Sequence, residues 1–113
     1  MQELKVPECF APADLQQLMK QSSPDRFTII DVRNPKEYAA KHIPGAINFP
    51  LNKLENRTKI LSKQTIIITA CGKGGGRSAQ AAELLQRMGF SNARFLCGGT
   101  FGWYDLQDIS DKS

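Results

Sequence analysis

Cys71-Gly72-Lys73-Gly74-Gly75-Gly76-Arg77-Ser78 sets a sulfur nucleophile, a backbone nearly stripped of side chains and two cations side by side. The four glycines between Cys71 and Arg77 admit backbone conformations closed to residues with a β-carbon. Such a loop can turn its N–H groups inward and cradle an anion. A helix start just after it adds unpaired N–H groups and the positive end of a dipole. A cysteine in that field is expected as the thiolate. The run therefore predicts an anionic group held over a nucleophilic sulfur. Arg77 at a helix start is disfavoured by the dipole, so its presence implies an anionic partner, and oxyanion binding is its expected role. Lys73, at the loop tip, reads equally as a solvated cation or as an attractor of substrate. The run is not a nucleotide-binding P-loop, because G-x-x-x-x-G-K-[ST] is absent.

Elements around the loop are needed to position it. Residues 65–70 form a strand with a continuous apolar centre, as buried parallel strands have. Residues 78–88 are the clearest helix: Ala81, Leu84, Leu85 and Met88 fall at i, i+3, i+4 and i+7, and Gly89 stands where a left-handed cap would end it. Further strands are expected at 27–32, 45–49 and 93–97. Helices are expected at 12–20, from Asn34 onward, at 51–61 and at 100–106. Asn34, Pro35 and Glu37 have the order of a cap, a first-turn proline and a capping-box partner. Residues 107–113 are polar and are expected to fray. Strands alternating with helices predict an α/β domain with a mainly parallel sheet. Ligands of such sheets bind beyond the carboxyl ends of the strands, and the Cys71 loop lies at such an end.

The length of 113 residues fits one domain spanning 1–113, large enough for a core without staples. An apolar fraction of 41% and a charged fraction of 23% are those of a soluble globule. No apolar run suffices for a membrane span, and residues 1–5 have no signal-peptide character, so a cytoplasmic location with no membrane partner is expected. The net charge of +4 is mild, and no basic run is interleaved with aromatics, so no nucleic-acid partner is expected. Cys9, Cys71 and Cys97 make neither a C-x-x-C pair nor a zinc pattern. An odd count in an unexported chain predicts free thiols.

Three further stretches carry a resemblance. Asp31-Val32-Arg33, Glu37-Tyr38 and 42–48 (His-Ile-Pro-Gly-Ala-Ile-Asn) resemble the opening signature of the rhodanese family. Cys71 after a strand and Arg77-Ser78 opening a helix resemble its active-site loop, and Leu96-Cys97-Gly98-Gly99 with Trp103 resembles its closing strand and last helix. The resemblance runs from about Phe10 to Leu106. It implies a rhodanese-like α/β fold, a mainly parallel five-stranded sheet flanked by helices on both faces. It implies a sulfurtransferase that moves a sulfane sulfur from a small anionic donor such as thiosulfate to a thiol or sulfur-carrier protein. In that reading Cys71 is catalytic and forms a persulfide, Gly72, Lys73, Gly74, Gly75, Gly76, Arg77 and Ser78 bind substrate, and no metal or organic cofactor is required.

Five residues separate Cys71 from Arg77, where many single-domain rhodaneses have four. The C-x-x-x-x-x-R-S spacing also resembles the loop of cysteine phosphatases and arsenate reductases of the same fold. A longer loop makes a wider cradle, suited to a tetrahedral oxyanion. Against that alternative, Ala70 stands where those phosphatases usually carry histidine, and the loop holds no carboxylate to protonate a leaving oxygen. A non-catalytic rhodanese-like binding module is a third alternative, opposed by the intact Cys71. His42, the single histidine, is expected to be structural rather than a protease base. Asp31 and Arg33 are expected to order the chain locally, with Arg33 paired to Glu37. Cys97 is expected in the core, with a resolving thiol as the alternative, and Cys9 has no evident role.

Overall fold

The computed structural model describes residues 8–73 and 76–111. Five strands, β1 (Cys9–Phe10), β2 (Phe27–Asp31), β3 (Ile47–Asn48), β4 (Ile66–Ala70) and β5 (Ala93–Leu96), form one sheet in the order β1-β5-β4-β2-β3. Every pairing is parallel. The helices are α1 (Pro12–Gln21), α2 (Pro35–Ala40), α3 (Leu54–Arg57), α4 (Gly76–Arg87) and α5 (Gly99–Asp111).

Strand side chains alternate between two apolar layers, as the period of two requires. Ile30 and Ile67 pack with Leu54, Ala81, Leu85 and Phe90, which puts α3 and α4 on one face. Ile29, Ile68 and Ala70 pack with Leu15, Ile43, Leu96 and Trp103, which puts α1 and α5 on the other. The fold is therefore the α/β architecture that the sequence predicts, with helices on both faces.

Several boundaries differ, each for a local reason. β3 is shorter than 45–49, because Gly45 has φ +86° inside a turn closed by Ala46 N–H donating to Ile43 O at 2.9 Å. Residues 51–61 do not make one helix. A 3-10 turn at Leu51–Lys53 leads into α3, and another follows at Thr58–Ile60. The Thr58 hydroxyl donates back to Leu54 O at 2.8 Å, a local bond that competes with helix propagation. α4 begins at Gly76 rather than at 78. α5 runs to Asp111, so residues 107–111 are helical rather than frayed. No glycine or proline follows Gly102, and extending an established helix costs far less than starting one.

The larger correction concerns the thiols. Cys9 and Cys97 are joined by a disulfide, with Cα atoms 5.0 Å apart, so the chain does not hold three free cysteines. β1 pairs with β5 in parallel, with Cys9 opposite Phe95 and Phe10 opposite Leu96, and Cys97 N–H donates to Phe10 O at 2.9 Å. That ladder brings together two sulfurs 88 positions apart in the chain. Cys97 is thus half-buried and bonded, not a plain core thiol.

Candidate active site

The sheet dictates where a site can form. From β2 the chain turns through α2 to β3, and from β4 it turns through α4 to β5 on the opposite side. β2 and β4 are neighbours whose connections leave in opposite directions, which opens a crevice beyond their carboxyl ends. Cys71 follows the last residue of β4 at that point.

Cys71 is 5% exposed and is the one free cysteine among the described residues. Its Sγ lies 3.3 Å from Ser78 Oγ, within hydrogen-bond reach. Ser78 is fully buried on the first turn of α4, and its carbonyl accepts from the Thr69 hydroxyl at 2.8 Å, which clamps that turn to β4. The loop is anchored from the other side by α5. Thr100 N–H donates to Cys71 O at 2.7 Å, and Phe101 N–H donates to Gly72 O at 3.0 Å. Phe101, 43% exposed, lies close to Gly72, where an added Cβ would come within 3.4 Å of its ring.

The facing wall comes from the turn after β2. Arg33 donates to Asp31 through its backbone N–H at 3.0 Å and through Nε and Nη2 at 3.0 and 2.7 Å. Both residues are almost fully buried. Hydrogen bonding to Asp31 pushes the Arg33 guanidinium above its ordinary pKa. Arg33 also donates to Lys41 O, and Asn48 Nδ2 donates to Asp31 O and Arg33 O at 3.0 and 2.9 Å. These bonds fix the chain up to Asn34, where α2 starts. Asn34 Oδ1 accepts from Glu37 N–H at 2.9 Å, and the capping box is complete.

Glu37 then reaches across to α4. Its two carboxylate oxygens accept from Arg77 Nη1 and Nη2 at 3.0 and 3.2 Å. The pair is exposed, at 44% for the Arg77 side chain and 37% for Glu37. Hydrogen bonding to Arg77 holds the Glu37 carboxyl below its ordinary pKa. The Arg77 guanidinium is raised, first by the Glu37 hydrogen bond and further by the charges of Glu37 and Cys71.

Comparison with known proteins places this arrangement. The Rhodanese-like domain model matches residues 11–106. The chain belongs to the rhodanese-like family. Among curated relatives, the thiosulfate sulfurtransferase PspE of Escherichia coli K12 is 38% identical over 65 residues, covering 56% of this chain and 62% of that protein. The putative sulfur carrier protein YrkF of Bacillus subtilis is 33% identical over 84 residues, covering 74% of this chain and 45% of that protein. The chain thus spans 45% to 62% of the length of these two relatives. A rhodanese-related protein from Thermoplasma volcanium has a crystal structure that superposes with a TM-score of 0.75 at 31% identity, covering 88% of this chain and 92% of that one.

The candidate site gathers Cys71, Gly72, Ser78 and Arg77 at one strand end, with Lys73 exposed beside them. Gly76 opens α4, whereas Gly74 and Gly75 lie outside the described residues. Asp31 and Arg33 do order the chain locally, but Arg33 pairs with Asp31 and not with Glu37. A buried guanidinium takes the buried carboxylate two residues away, which leaves Glu37 to Arg77. His42 is held structurally: its Nδ1–H donates to Tyr38 O at 2.8 Å, and its ring stacks on Tyr38 with centroids 3.9 Å apart. Glu37 is the site residue that sequence reasoning missed. It was legible as a helix cap, but its partner lies 40 residues away.

Proposed function

We propose that this domain is a sulfurtransferase working through a Cys71 persulfide, with thiosulfate or a similar small anion as donor and a thiol or sulfur-carrier protein as acceptor. The observation that carries the reading is Cys71 itself: a free cysteine at the crevice between β4 and β2, in contact with Ser78 at the start of α4. The Cys71 thiolate attacks the outer sulfur of thiosulfate, the S–S bond of the donor breaks, and sulfite leaves with the electron pair. An acceptor thiolate then attacks the outer persulfide sulfur and returns Cys71 as thiolate. Neither half-step needs an external oxidant or reductant.

Gly72, Lys73, Gly74, Gly75, Gly76, Arg77 and Ser78 are the substrate-binding set in this reading. Backbone N–H groups of the loop and the start of α4 stabilise the charge moving through the crevice, and the Ser78 hydroxyl can donate to the sulfur. Among the described residues no helix is long and apolar enough to cross a membrane. A cytoplasmic location, expected from the sequence, carries a condition. In a reducing compartment the Cys9–Cys97 bridge would be a dithiol, and β1 would be held by its ladder bonds alone.

The test is the mass of the intact protein after thiosulfate treatment. A gain of one sulfur atom, removed by cyanide or reductant and absent in Cys71→Ser, is the expected result. Cys71→Ser abolishes turnover, while Cys9→Ser and Cys97→Ser retain most of it. Hydrolysis of an aryl phosphate with no sulfur gain would replace this reading with the phosphatase alternative.

A further inference from the structure

We infer that Glu37 sets how strongly the Cys71 loop holds oxyanions, by keeping the guanidinium of Arg77 occupied. The inference rests on reading the Cys71 loop as an anion site, and it concerns how tightly that site holds oxyanions. Arg77 is the second residue of α4, directly before Ser78, whose Oγ lies 3.3 Å from Cys71 Sγ. A guanidinium offers a planar fork that fits a carboxylate, a phosphate or a sulfate in the same way. Here that fork is taken: Nη1 and Nη2 each donate to a different oxygen of Glu37. A tetrahedral oxyanion entering the loop must compete with Glu37 for Arg77. The outer sulfur of a Cys71 persulfide is a single atom with no pair of oxygens to offer the Arg77 fork, so it does not enter that competition. Glu37 therefore weakens the hold of a loop of phosphatase-like length on every tetrahedral oxyanion, the thiosulfate donor included, and the same weak hold lets a sulfite product leave.

Glu37 is a positioning residue in this account, since it acts through Arg77. Its second job permits a clean test. As the capping-box partner of Asn34 it can be replaced by glutamine, which serves that box equally well. Glu37→Gln therefore keeps the start of α2 and removes the charge that holds Arg77. The ion pair is exposed and is worth what surface pairs are worth, so its removal changes affinity by about two- to fivefold.

The experiment is titration of the isotope-labelled protein with inorganic phosphate, followed through the amide resonances of Gly76 and Arg77. Glu37→Gln is expected to tighten phosphate binding about two- to fivefold. Glu83→Gln, which removes an equal charge from the exposed Glu83–Arg87 pair on the same helix, is expected to leave it unchanged. Arg77→Ala in the Glu37→Gln background is expected to abolish the gain. Unchanged or weaker binding in Glu37→Gln overturns the inference, as does a gain that survives loss of Arg77 or appears equally in Glu83→Gln. A purely structural role for Glu37 would lower affinity, never raise it. The readout is independent of persulfide formation, so this inference and the sulfurtransferase reading can fail separately.

Discussion

Removing the Cys9–Cys97 bridge should destabilise the domain more than any surface change. The bridge spans a sequence separation of 88 residues. Closing a loop of that size in the unfolded chain corresponds to about 4–5 kcal/mol in the chain-entropy account, and measured bridges typically give about 2–4 kcal/mol. Against the roughly 5–15 kcal/mol that holds a domain folded, this is a large share. For a chain of this size each kcal/mol shifts the thermal midpoint by about 4–8 °C. The double variant Cys9→Ser/Cys97→Ser should therefore melt roughly 10–30 °C below the oxidised parent. The assay is thermal unfolding, paired with mass spectrometry that counts alkylated thiols. The oxidised parent should show one alkylated cysteine after unfolding, and the reduced parent three. Three reactive thiols in the untreated protein, or a midpoint shift of only a few degrees, would refute the reasoning.

Other consequences are equally direct. Arg33→Met leaves the Asp31 carboxylate buried and uncompensated, so it should cost about 3–5 kcal/mol in urea unfolding, and adding Asp31→Asn should recover part of that loss. Gly98→Ala should destabilise more than Gly45→Ala. Both have positive φ, +75° and +86°, at about 1–2 kcal/mol for an added side chain, but only at Gly98 would a Cβ meet backbone, Gly102 Cα at 3.2 Å. The Glu37 carboxyl is held below its ordinary pKa, so the stability it contributes is present above that ordinary value and lost as pH falls through the lowered one. The gap in thermal midpoint between parent and Glu37→Gln should accordingly shrink on acidification, and a gap that widens there would contradict the assignment.

What the sequence made legible follows from the range of the interactions involved. β2, β4 and β5 announced themselves through apolar runs, and α4 through its spacing of Ala81, Leu84, Leu85 and Met88, because burial patterns are written within one element. The capping box of α2 was readable because its two partners are three residues apart. β1 has two residues, too few to show any period, and its existence depends on pairing with β5. The disulfide was illegible for the same reason, and counting cysteines pointed the wrong way. In the candidate site, Cys71 and its loop could be read because strand, loop and helix start are contiguous. Glu37 and the anchoring of the loop by α5 could not, since Glu37–Arg77 and Thr100–Cys71 join distant segments.

The anchoring by α5 has a consequence for the order in which the protein is made. Synthesis delivers Cys71 and its glycines before Thr100 and Phe101, the residues whose N–H groups hold Cys71 O and Gly72 O. It also delivers β1 before β5, the strand with which β1 pairs. A chain stopped between Ser78 and α5 would already contain every residue from Cys71 to Ser78, yet lack the two bonds by which α5 holds Cys71 O and Gly72 O. The backbone position of Cys71 is thus coupled to completion of α5. A nascent chain would carry this strand end only partly anchored until α5 docks.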